Sequence, residues 1–356
     1  RVANLTEPIN GRGKGQSRNR CSRGCPYGAY FSSNGVTLPA AAKTGNLTMH
    51  NHAIVSEIIY DDEKGKATGV RVIHELTKEV VEYHATIIFC NASTMGSTGI
   101  LLNSKSSRFP NGLGNDSGEL GHNIMDHHYF VGAQGEYEGF EDRYYSGRRP
   151  NGIYIPRYRN ISKETARDNY LRGYGYQGAA YRESWGGGKT QTGFGADFKA
   201  NLMRPGTWKM SINGFGEVLP RHENRVYQHP TKKDKWGLPL LAFDCEFVEN
   251  DLNMRKDMKA DAAEMLELAG FKNVVAFDSI GAMGKGIHEM GTARMGNDPK
   301  TSVLNKYNQV HGAKNVYVTD GACMTSASCV NPSITYMALA ARAVDHAVKE
   351  LKTQNL

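Results

Sequence analysis

The sequence is poor in cysteine and contains no long apolar run. Six cysteines stand among 356 residues, far below the density of small disulfide-stapled secreted domains. No apolar run approaches the length that a membrane-spanning helix requires, so we expect no membrane span. The first residues, RVANLTEPIN, show neither an initiator methionine nor a signal peptide. We therefore expect the chain to be a mature product or a fragment.

Two familiar ligand-binding motifs are also absent. His288 and Glu289 begin like a helical zinc motif, but Thr292 stands where the second histidine is needed, so we predict no metal there. His127 and His128 are neighbours, and neighbouring positions on a strand point to opposite faces, which argues against a shared metal. No G-x-G-x-x-G turn follows a strand and opens a helix, so the chain shows no phosphate-binding glycine loop of its own.

Positive charge is concentrated at the beginning of the chain. The formal net charge is +7, and the first 50 residues carry seven basic side chains against one acid, Glu7. Such a segment can bind phosphate, nucleic acid or an acidic partner, or can simply be a solvated loop. Aromatic residues are not interleaved with these charges, so we predict no nucleic-acid stacking platform. Cys21 and Cys25 are predicted to be a reduced pair or a disulfide, since a cluster needs a third thiolate.

Length and patterning predict two domains of different class. From Asn46, short β-branched runs separated by turns predict a β-meander followed by a buried strand, ATIIFCNA. The next segment, STMGSTGILLNS, predicts a turn into a helix, and a strand, a turn and a helix are typical of a nucleotide-binding domain. Residues 126–250 contain strand-like segments with polar alternation, which predict an antiparallel sheet in an α+β domain.

Two long helices are predicted in the second half. The first covers residues 250–269, with Asn250 or Asp251 as its N-cap and Gly270 at its C′ position. Its predicted apolar stripe consists of Leu252, Met258, Ala262, Met265 and Ala269. The second begins near Pro332 and has an apolar face that we expect to be core. That face consists of Ile334, Met337, Ala341, Val344, Val348 and Leu351.

The last third of the chain holds the strongest group of chemistry-bearing residues. His288 lies at a turn in GIHEMGTARMG, a predicted strand ends in Asp320 and Gly321, and Asn331 precedes a helix. The positive end of that helix suits an anion or a polar ring edge. A carboxylate at a strand end is well placed to bind a hydroxyl of a ribityl or ribose chain. Taken singly, Asp320 would be a turn residue and Asn331 a helix N-cap.

This pattern resembles the C-terminal signature of the glucose-methanol-choline (GMC) oxidoreductase family, which binds FAD. His288 to Thr292 match the family's His-x-x-Gly-Thr segment, and Asn331 takes the place of a later His or Asn. ASTMGSTGILLNS and LGHNIMDHH resemble two further family elements, with Thr98 where proline is usual. HEMGTARMG and GCPYGA are similar to the sugar-oxidising dehydrogenase branch.

The resemblance implies an FAD-dependent oxidoreductase that acts on the CH–OH group of a sugar or other alcohol. His288 would take the hydroxyl proton, Asn331 would hold the substrate oxygen, and the hydride would pass to flavin N5. An imidazole suits this role because its unperturbed pKa is about 6.5. The backbone near Val55 resembles the segment that contacts adenine. The cofactor-binding candidates are Val55, Asp320, Gly321, Asn331, Pro332 and Thr335.

The resemblance also implies a divided FAD domain. We expect residues 1–125 and 286–356 to form part of a Rossmann-like α/β FAD domain, and residues 126–285 to form the substrate domain. Because the first G-x-G-x-x-G unit is missing, we expect this chain alone to bind FAD poorly or not at all. An electron-acceptor protein or a small subunit would be a compatible partner, and the likeness to exported sugar dehydrogenases favours the periplasm.

Three other interpretations stay open. A metal-dependent hydrolase would use His288 with His127 and His128. A non-catalytic module would bind a partner through the basic N-terminal segment, with an affinity that falls steeply with salt. A vestigial GMC chain would fold without a cofactor.

Overall fold

The computed structural model describes most of the chain. The described residues are 4–16, 24–143, 152–182, 192–203 and 206–356. Cys21 lies outside them, so its relation to Cys25 stays a prediction. Much of the basic N-terminal segment, including Arg18, Arg20 and Arg23, also lies outside them.

The predicted β-meander is confirmed. β1 (Ala53–Asp61), β2 (Lys66–His74) and β3 (Val80–His84) form an antiparallel sheet in that order. The pairing of β1 with β2 shifts between Val55 and Glu57, so the ladder is irregular at Ser56.

A parallel strand pair joins distant parts of the chain. β4 (Ile88–Phe89) lies parallel to β13 (Ala313–Tyr317), and β12 (Gln309–Val310) pairs antiparallel with β13. α2 (Ser93–Asn103) follows β4, as predicted. The N–H and the hydroxyl of Thr319 both donate to Asn91 Oδ1 at 3.0 Å, so the carboxyl ends of β4 and β13 lie side by side.

The predicted antiparallel sheet is confirmed in the second region. Its strands are β5 (Val131–Tyr137), β6 (Gly152–Ile155), β7 (Tyr174–Arg182), β8 (Trp208–Gly216) and β11 (Lys272–Asp278). Their order in the sheet is β11-β5-β8-β7-β6. One face of this sheet is covered by α4 (Glu249–Leu268).

One predicted strand, in LPLLAFD, lies outside that sheet. It forms β10 (Pro239–Asp244), which pairs with β9 (Arg225–Lys233) in a separate antiparallel pair. This pair lies against α2, where a Cβ on Gly99 would be 3.6 Å from Leu241 Cδ1. α1 (Leu38–Ala42) and α3 (Gly195–Met203) are short and bury none of their residues.

The apolar stripe predicted for α4 is partly wrong. Leu252 is 36% exposed. The buried apolar residues of the helix are Met254, Met258, Ala262 and Leu266. Met254 and Met258 fit against β8 because two residues of that strand are glycines. A Cβ on Gly214 would lie 2.3 Å from Met258 Cε, and a Cβ on Gly216 would lie 2.7 Å from Met254 Sδ.

The predicted start of α4 is wrong and its end is confirmed. The N-cap is Val248, and the side chain of Asp251 instead accepts the Val248 N–H at 2.9 Å from inside the first turn. Asn250 Oδ1 accepts the N–H of Leu171, so this side chain ties the helix to a neighbouring loop. Gly270 follows the C-cap Ala269 with a φ of +86°, which favours glycine.

The apolar face predicted for the last helix, α5 (Ser333–Lys352), is not core within the described residues. Ile334 is 77% exposed and Met337 is 49% exposed, and Val344, Val348 and Leu351 are exposed as well. Ala343 and Ala347 are buried instead, against Tyr317. The prediction failed because periodicity reports that a helix has an apolar face, not that a partner covers it.

The buried apolar residues form separate clusters. One joins residues of the 58–120 region to residues of the 293–323 region, and another joins residues 131–176 to Ile212 and residues of α4. The boundaries at 125 and 285 stay a prediction. No helix among the described residues is both long enough and apolar enough to cross a membrane.

Candidate active site

The imidazole of His288 meets the carboxamide of Asn331. Asn331 Nδ2 donates to His288 Nε2 at 3.1 Å, although 43 positions separate the two residues. His288 is half-buried and Asn331 is exposed, so the contact lies at the edge of the protein interior. The two residues proposed as catalytic are therefore neighbours, as the redox interpretation requires.

Asp126 holds the loop that carries His288. Its Oδ2 accepts the N–H groups of Gly284 and Gly286 at 2.8 and 2.9 Å. Its Oδ1 accepts those of His127 and His288 at 2.7 and 3.1 Å. This carboxylate is 1% exposed, and four N–H donors satisfy it away from water. A Cβ on Gly286 would lie 2.5 Å from Asp126 Oδ1, so only glycine permits this close approach.

A second imidazole lies directly behind His288. His127 Nδ1 is 2.9 Å from His288 Nδ1, and His127 Nε2 is 2.9 Å from the carbonyl oxygen of Ala327. The ring of Phe215 lies near both, with centroids 6.0 Å from His127 and 6.2 Å from His288. His128 points away, to within 3.6 Å of Asp251 on α4, as the opposite-face argument predicted.

The antiparallel sheet supplies a contact to the other side of the site. Gln177 on β7 donates from Nε2 to Asn331 Oδ1 at 2.6 Å. Its neighbour Tyr176 points to α4 and donates to the carbonyl of Met258, so Gln177 lies on the opposite face of the sheet. The sheet therefore has one face against α4 and one face toward His288 and Asn331.

Asp320 and Gly321 lie at the carboxyl end of β13. Asp320 accepts the Ser97 hydroxyl at 2.5 Å and the Ala322 N–H at 3.0 Å, so it caps the 3₁₀ turn Gly321–Cys323. The Gly321 carbonyl accepts the N–H of Gly291, which brings this strand end beside the segment after His288. A Cβ on Gly321 would lie 2.4 Å from the Glu289 carbonyl oxygen.

The other cofactor-binding candidates lie on two further elements. Val55 lies on β1, beside the irregular pairing at Ser56. Pro332 is the N-cap of α5, and Thr335 lies exposed in its first turn. No side chain caps this helix, so Asn331, which precedes it, is not its N-cap and is used for His288 and Gln177 instead.

Burial favours the neutral form of the imidazoles in this site. It lowers the pKa of His127, where hydrogen bonding to Ala327 and the charges of Asp126 and Glu217 oppose the shift only in part. Burial also lowers the pKa of His288, and the neighbouring His127 lowers it further. Burial raises the pKa of Asp320. A neutral His288 can accept a proton, which is what a general base needs.

Sequence reasoning missed three residues of this site. For His127 the sequence argued only against a metal shared with His128, and it predicted no contact with His288. It gave no role to Asp126 or Gln177. The element LGHNIMDHH contains Asp126 and His127, so a signal existed for them. Gln177 is a single polar residue in the strand YGYQGAAYR, and nothing in the local sequence distinguishes it.

Within the described part of the chain, the histidines are not arranged as a metal-binding group. Across the described ranges, no group of three or more His, Cys, Asp or Glu side chains is arranged to hold a metal ion. His127 and His288 bond to each other directly through Nδ1, which leaves no room for an ion between those atoms. The hydrolase interpretation therefore has no geometric support.

Comparisons with known proteins converge on one family. Two models described as GMC oxidoreductase match the chain, an N-terminal one over residues 3–129 and a C-terminal one over residues 220–340. The chain is 31% identical to 2-methyl-1,2-propanediol dehydrogenase of Mycolicibacterium austroafricanum, over 96% of this chain and 61% of that protein. It is 24% identical to the fructose dehydrogenase large subunit of Gluconobacter japonicus, over 98% of this chain and 62% of that protein.

A solved structure shares the fold. Formate oxidase of Aspergillus oryzae RIB40 superposes with a TM-score of 0.59 and 14% identity, covering 85% of this chain and 60% of that one. The fold is thus an α/β FAD-binding type with an antiparallel-sheet substrate domain. The chain spans about three fifths of the length of these curated relatives, 61% and 62%.

Proposed function

The chain belongs to the GMC oxidoreductase family, whose members bind FAD, and on that premise we propose that it carries the substrate-oxidising centre of an FAD-dependent dehydrogenase or oxidase. The substrate would be a sugar or another alcohol, oxidised at a CH–OH group. The observation that carries the proposal is the 3.1 Å contact between His288 Nε2 and Asn331 Nδ2. A base and a hydrogen-bond donor at one point are what a hydroxyl group needs to lose its proton.

The residues around the site fit an FAD group. The N-terminus of α5 has no side-chain cap and lies next to Asn331, so its positive end suits the electron-rich edge of a flavin ring. Asp320 accepts two hydrogen bonds, and a carboxylate has lone pairs for further donors, such as a ribityl hydroxyl. The irregular pairing beside Val55 suits a backbone contact to adenine. Gly321, Pro332 and Thr335 would line the cofactor by their position beside these groups.

His288 and Asn331 would share the work on the hydroxyl group. The substrate hydroxyl donates to His288 Nε2 and accepts from Asn331 Nδ2, which replaces the direct contact between them. The O–H bond breaks as the proton moves to Nε2, and Asn331 stabilises the developing negative charge on oxygen. When bound, FAD supplies N5 as the acceptor of the hydride from the carbon that bears this hydroxyl group. Asp126 keeps His288 in place by holding its backbone.

The sheet face toward the site suits a substrate with several hydroxyl groups. Asn213 of β8 pairs with Gln177 of β7, and Gln177 pairs with Tyr154 of β6, so three polar side chains share one register level. This row lies on the face opposite α4. Amide and phenol groups both donate and accept hydrogen bonds, which matches the chemistry of a polyol. A diol dehydrogenase and a fructose dehydrogenase subunit are among the relatives, which agrees with this substrate class.

Partner and location are further parts of the proposal. The fructose dehydrogenase relative is named a large subunit, which favours a small subunit or an electron-acceptor protein as the partner of this chain. We keep the periplasm as the proposed location, and cell fractionation would test it.

Anaerobic flavin reduction tests the proposal. The full-length protein would be purified, its flavin absorbance recorded, and vicinal diols, hexoses and simple primary alcohols added without oxygen. We expect loss of the oxidised-flavin absorbance with at least one hydroxylated substrate. If the protein contains flavin but none of these substrate classes lowers its oxidised-flavin absorbance, the proposed substrate class is contradicted. If the full-length protein purifies without FAD and does not bind FAD that is added to it, the redox function is contradicted and the vestigial interpretation is favoured.

A further inference from the structure

We propose that His127 and Gln177 are positioning residues that fix the proton arrangement of His288 and Asn331, so that His288 presents a bare Nε2 to the substrate. This inference rests on the proposed function for its catalytic meaning. Its structural content, which nitrogen of His288 carries hydrogen, is independent of any cofactor. These four side chains form one continuous series of hydrogen bonds from the Ala327 carbonyl oxygen to β7, the strand that carries Gln177.

The donor-to-acceptor direction of this series of hydrogen bonds is set at the Ala327 end. A carbonyl oxygen only accepts, so the contact at 2.9 Å requires hydrogen on His127 Nε2. A neutral imidazole carries one N–H, so His127 Nδ1 is an acceptor. His288 Nδ1 must then donate across the 2.9 Å contact. Because His288 also has only one N–H, its Nε2 carries a lone pair.

The hydrogen bonds at the Gln177 end of the series are consistent with this direction. A bare His288 Nε2 requires Asn331 to turn its Nδ2 toward it, and this leaves Asn331 Oδ1 facing Gln177. Gln177 completes the arrangement by donating from Nε2 at 2.6 Å. The amide of Asn331 is thus fixed from two sides, and neither the imidazole nor the amide can reverse without breaking a neighbour's bond.

The charges around His127 are compatible with a neutral ring. Asp126 already accepts four backbone N–H groups. Glu217 accepts the Ser326 hydroxyl at 2.5 Å and lies 3.9 Å from the Arg172 guanidinium. Burial lowers the pKa of both His127 and His288, which favours the neutral ring with a single N–H. The direction of the hydrogen bonds derived above requires this neutral form.

The arrangement also helps after proton transfer. When a proton moves from the substrate hydroxyl to Nε2, His288 becomes an imidazolium whose Nδ1–H still donates to His127. A hydrogen bond from a charged donor is stronger than one from a neutral donor, so His127 stabilises the product of proton transfer more than the reactant.

Nitrogen NMR of ¹⁵N-histidine-labelled full-length protein tests the tautomer directly. We expect the His288 signals, assigned as those missing in His288→Ala, to show a protonated Nδ1 and a bare Nε2. His127→Phe keeps a ring beside Phe215 but removes both nitrogens, and His288 should then sample both tautomers. His127→Gln can still donate to Ala327 and accept from His288, so it should keep the single tautomer.

Kinetics of the same variants test the catalytic meaning. His127→Phe should slow flavin reduction by about 10- to 100-fold, the range known for metal-ligating histidines that lose the hydrogen-bond partner of their other ring nitrogen. His127→Gln should recover most of the lost rate. Gln177→Glu should be worse than Gln177→Leu, because a carboxylate only accepts and favours a reversed Asn331 amide. A role in packing alone predicts the opposite order, since glutamate has nearly the shape of glutamine.

Three results would overturn the inference. They are a His288 protonated at Nε2 in the wild type, an unchanged tautomer in His127→Phe, and a Gln177→Leu variant slower than Gln177→Glu. If His127→Phe fails to fold, the wild-type spectrum and the Gln177 pair still decide. Normal flavin reduction in His288→Ala would instead refute the proposed function, whatever the tautomer of the wild type.

Discussion

The backbone N–H of His288 donates to the buried carboxylate of Asp126 at 3.1 Å, so the loop and the imidazole it carries are held by one side chain. The same carboxylate binds three other N–H groups of that region. The position of the proposed base therefore depends on a residue that has no contact with substrate in the proposed mechanism.

Asp126→Asn should loosen the loop at residues 284–288. One amide oxygen would remain, but the NH₂ group would face N–H donors, so two hydrogen bonds would be lost at a buried site. We expect a loss of about 1–3 kcal/mol in the free energy of unfolding. Flavin reduction should slow as His288 loses its position. Urea denaturation and rapid-mixing kinetics measure the two effects, and a variant unchanged in both would contradict this account of Asp126.

Gly286→Ala should act on the same contact from the other side. The added methyl group would lie 2.5 Å from Asp126 Oδ1 and 2.6 Å from the His127 carbonyl oxygen, so the loop must move. We expect lower thermal stability and a slower reaction. Gly99→Ala, inside α2, is the control: its Cβ would be 3.6 Å from Leu241 of β10, an ordinary contact, and alanine should raise helix stability by about 0.5–1 kcal/mol. Equal melting temperatures for both variants would contradict the steric argument.

The rate of flavin reduction should depend on pH through His288. Burial and the neighbouring His127 hold the pKa of His288 below 6.5. The neutral, active form then dominates above that pKa, so the rate should rise as pH increases through a midpoint below 6.5 and level off above it. A stopped-flow profile with its midpoint above neutrality would contradict a buried His288 base.

Asn331→Asp should move that midpoint upward. The new carboxylate would face His288 Nε2 and favour the imidazolium, which raises the pKa of His288. It would also replace a donor to the substrate oxygen with an acceptor, at a cost of about 10²–10³ in rate. Asn331→Leu removes the donor without adding charge, so it should slow the reaction without raising the midpoint. Identical pH profiles for the two variants would argue against the contact.

The ion pair between Arg159 and Asp261 should be important for stability. Asp261 of α4 accepts hydrogen bonds from Arg159 at 2.7 and 2.9 Å and from Tyr174 at 2.7 Å. Asp261→Ala would remove two short hydrogen bonds from a guanidinium that is 18% exposed and leave it only the longer 3.5 Å contact with Asp257, at a cost of about 3 kcal/mol. Urea denaturation measures the loss in the free energy of unfolding. Asp345→Ala, which breaks the exposed ion pair with Lys349, is the control and should lose no more than about 1 kcal/mol. Similar losses in both would contradict the prediction.

The same pair implies a pH dependence of stability. Burial alone would raise the pKa of Asp261, but its hydrogen bonds from Arg159, Tyr158 and Tyr174 outweigh burial and lower it. The stabilisation is therefore present above the unfolded-state pKa of an aspartate, about 3.9, and is lost as pH falls through the lower folded value. The difference in stability between wild type and Asp261→Ala should shrink in strong acid.

Sequence reasoning succeeded where the signal is local. The segments around His288 and Asn331 each carry a family motif, and their meeting in space follows once both motifs are assigned to one site. The β-meander and α2 were predictable because β-branched runs, turns and a glycine-containing helix start are written in consecutive residues.

The failures have a common physical cause, because each depends on a partner far along the chain. The buried stripe of α4 is chosen by Gly214 and Gly216 on β8, not by the periodicity of the helix. The face of α5 is apolar, but nothing in its sequence says whether it is covered. Gln177 acquires its role from Asn331, which lies 154 positions away.

The rate of flavin reduction in His288→Ala tests the central claim most directly. Rapid mixing of full-length protein with substrate, without oxygen, measures this step alone, and FAD content confirms that the cofactor site is intact. We expect a fall of about 10²–10⁴, the usual worth of a general base. His311→Ala, which removes a histidine bonded to Ser302 instead, should keep the wild-type rate. A His288→Ala protein that holds FAD and reduces it as fast as the His311→Ala control would contradict the account.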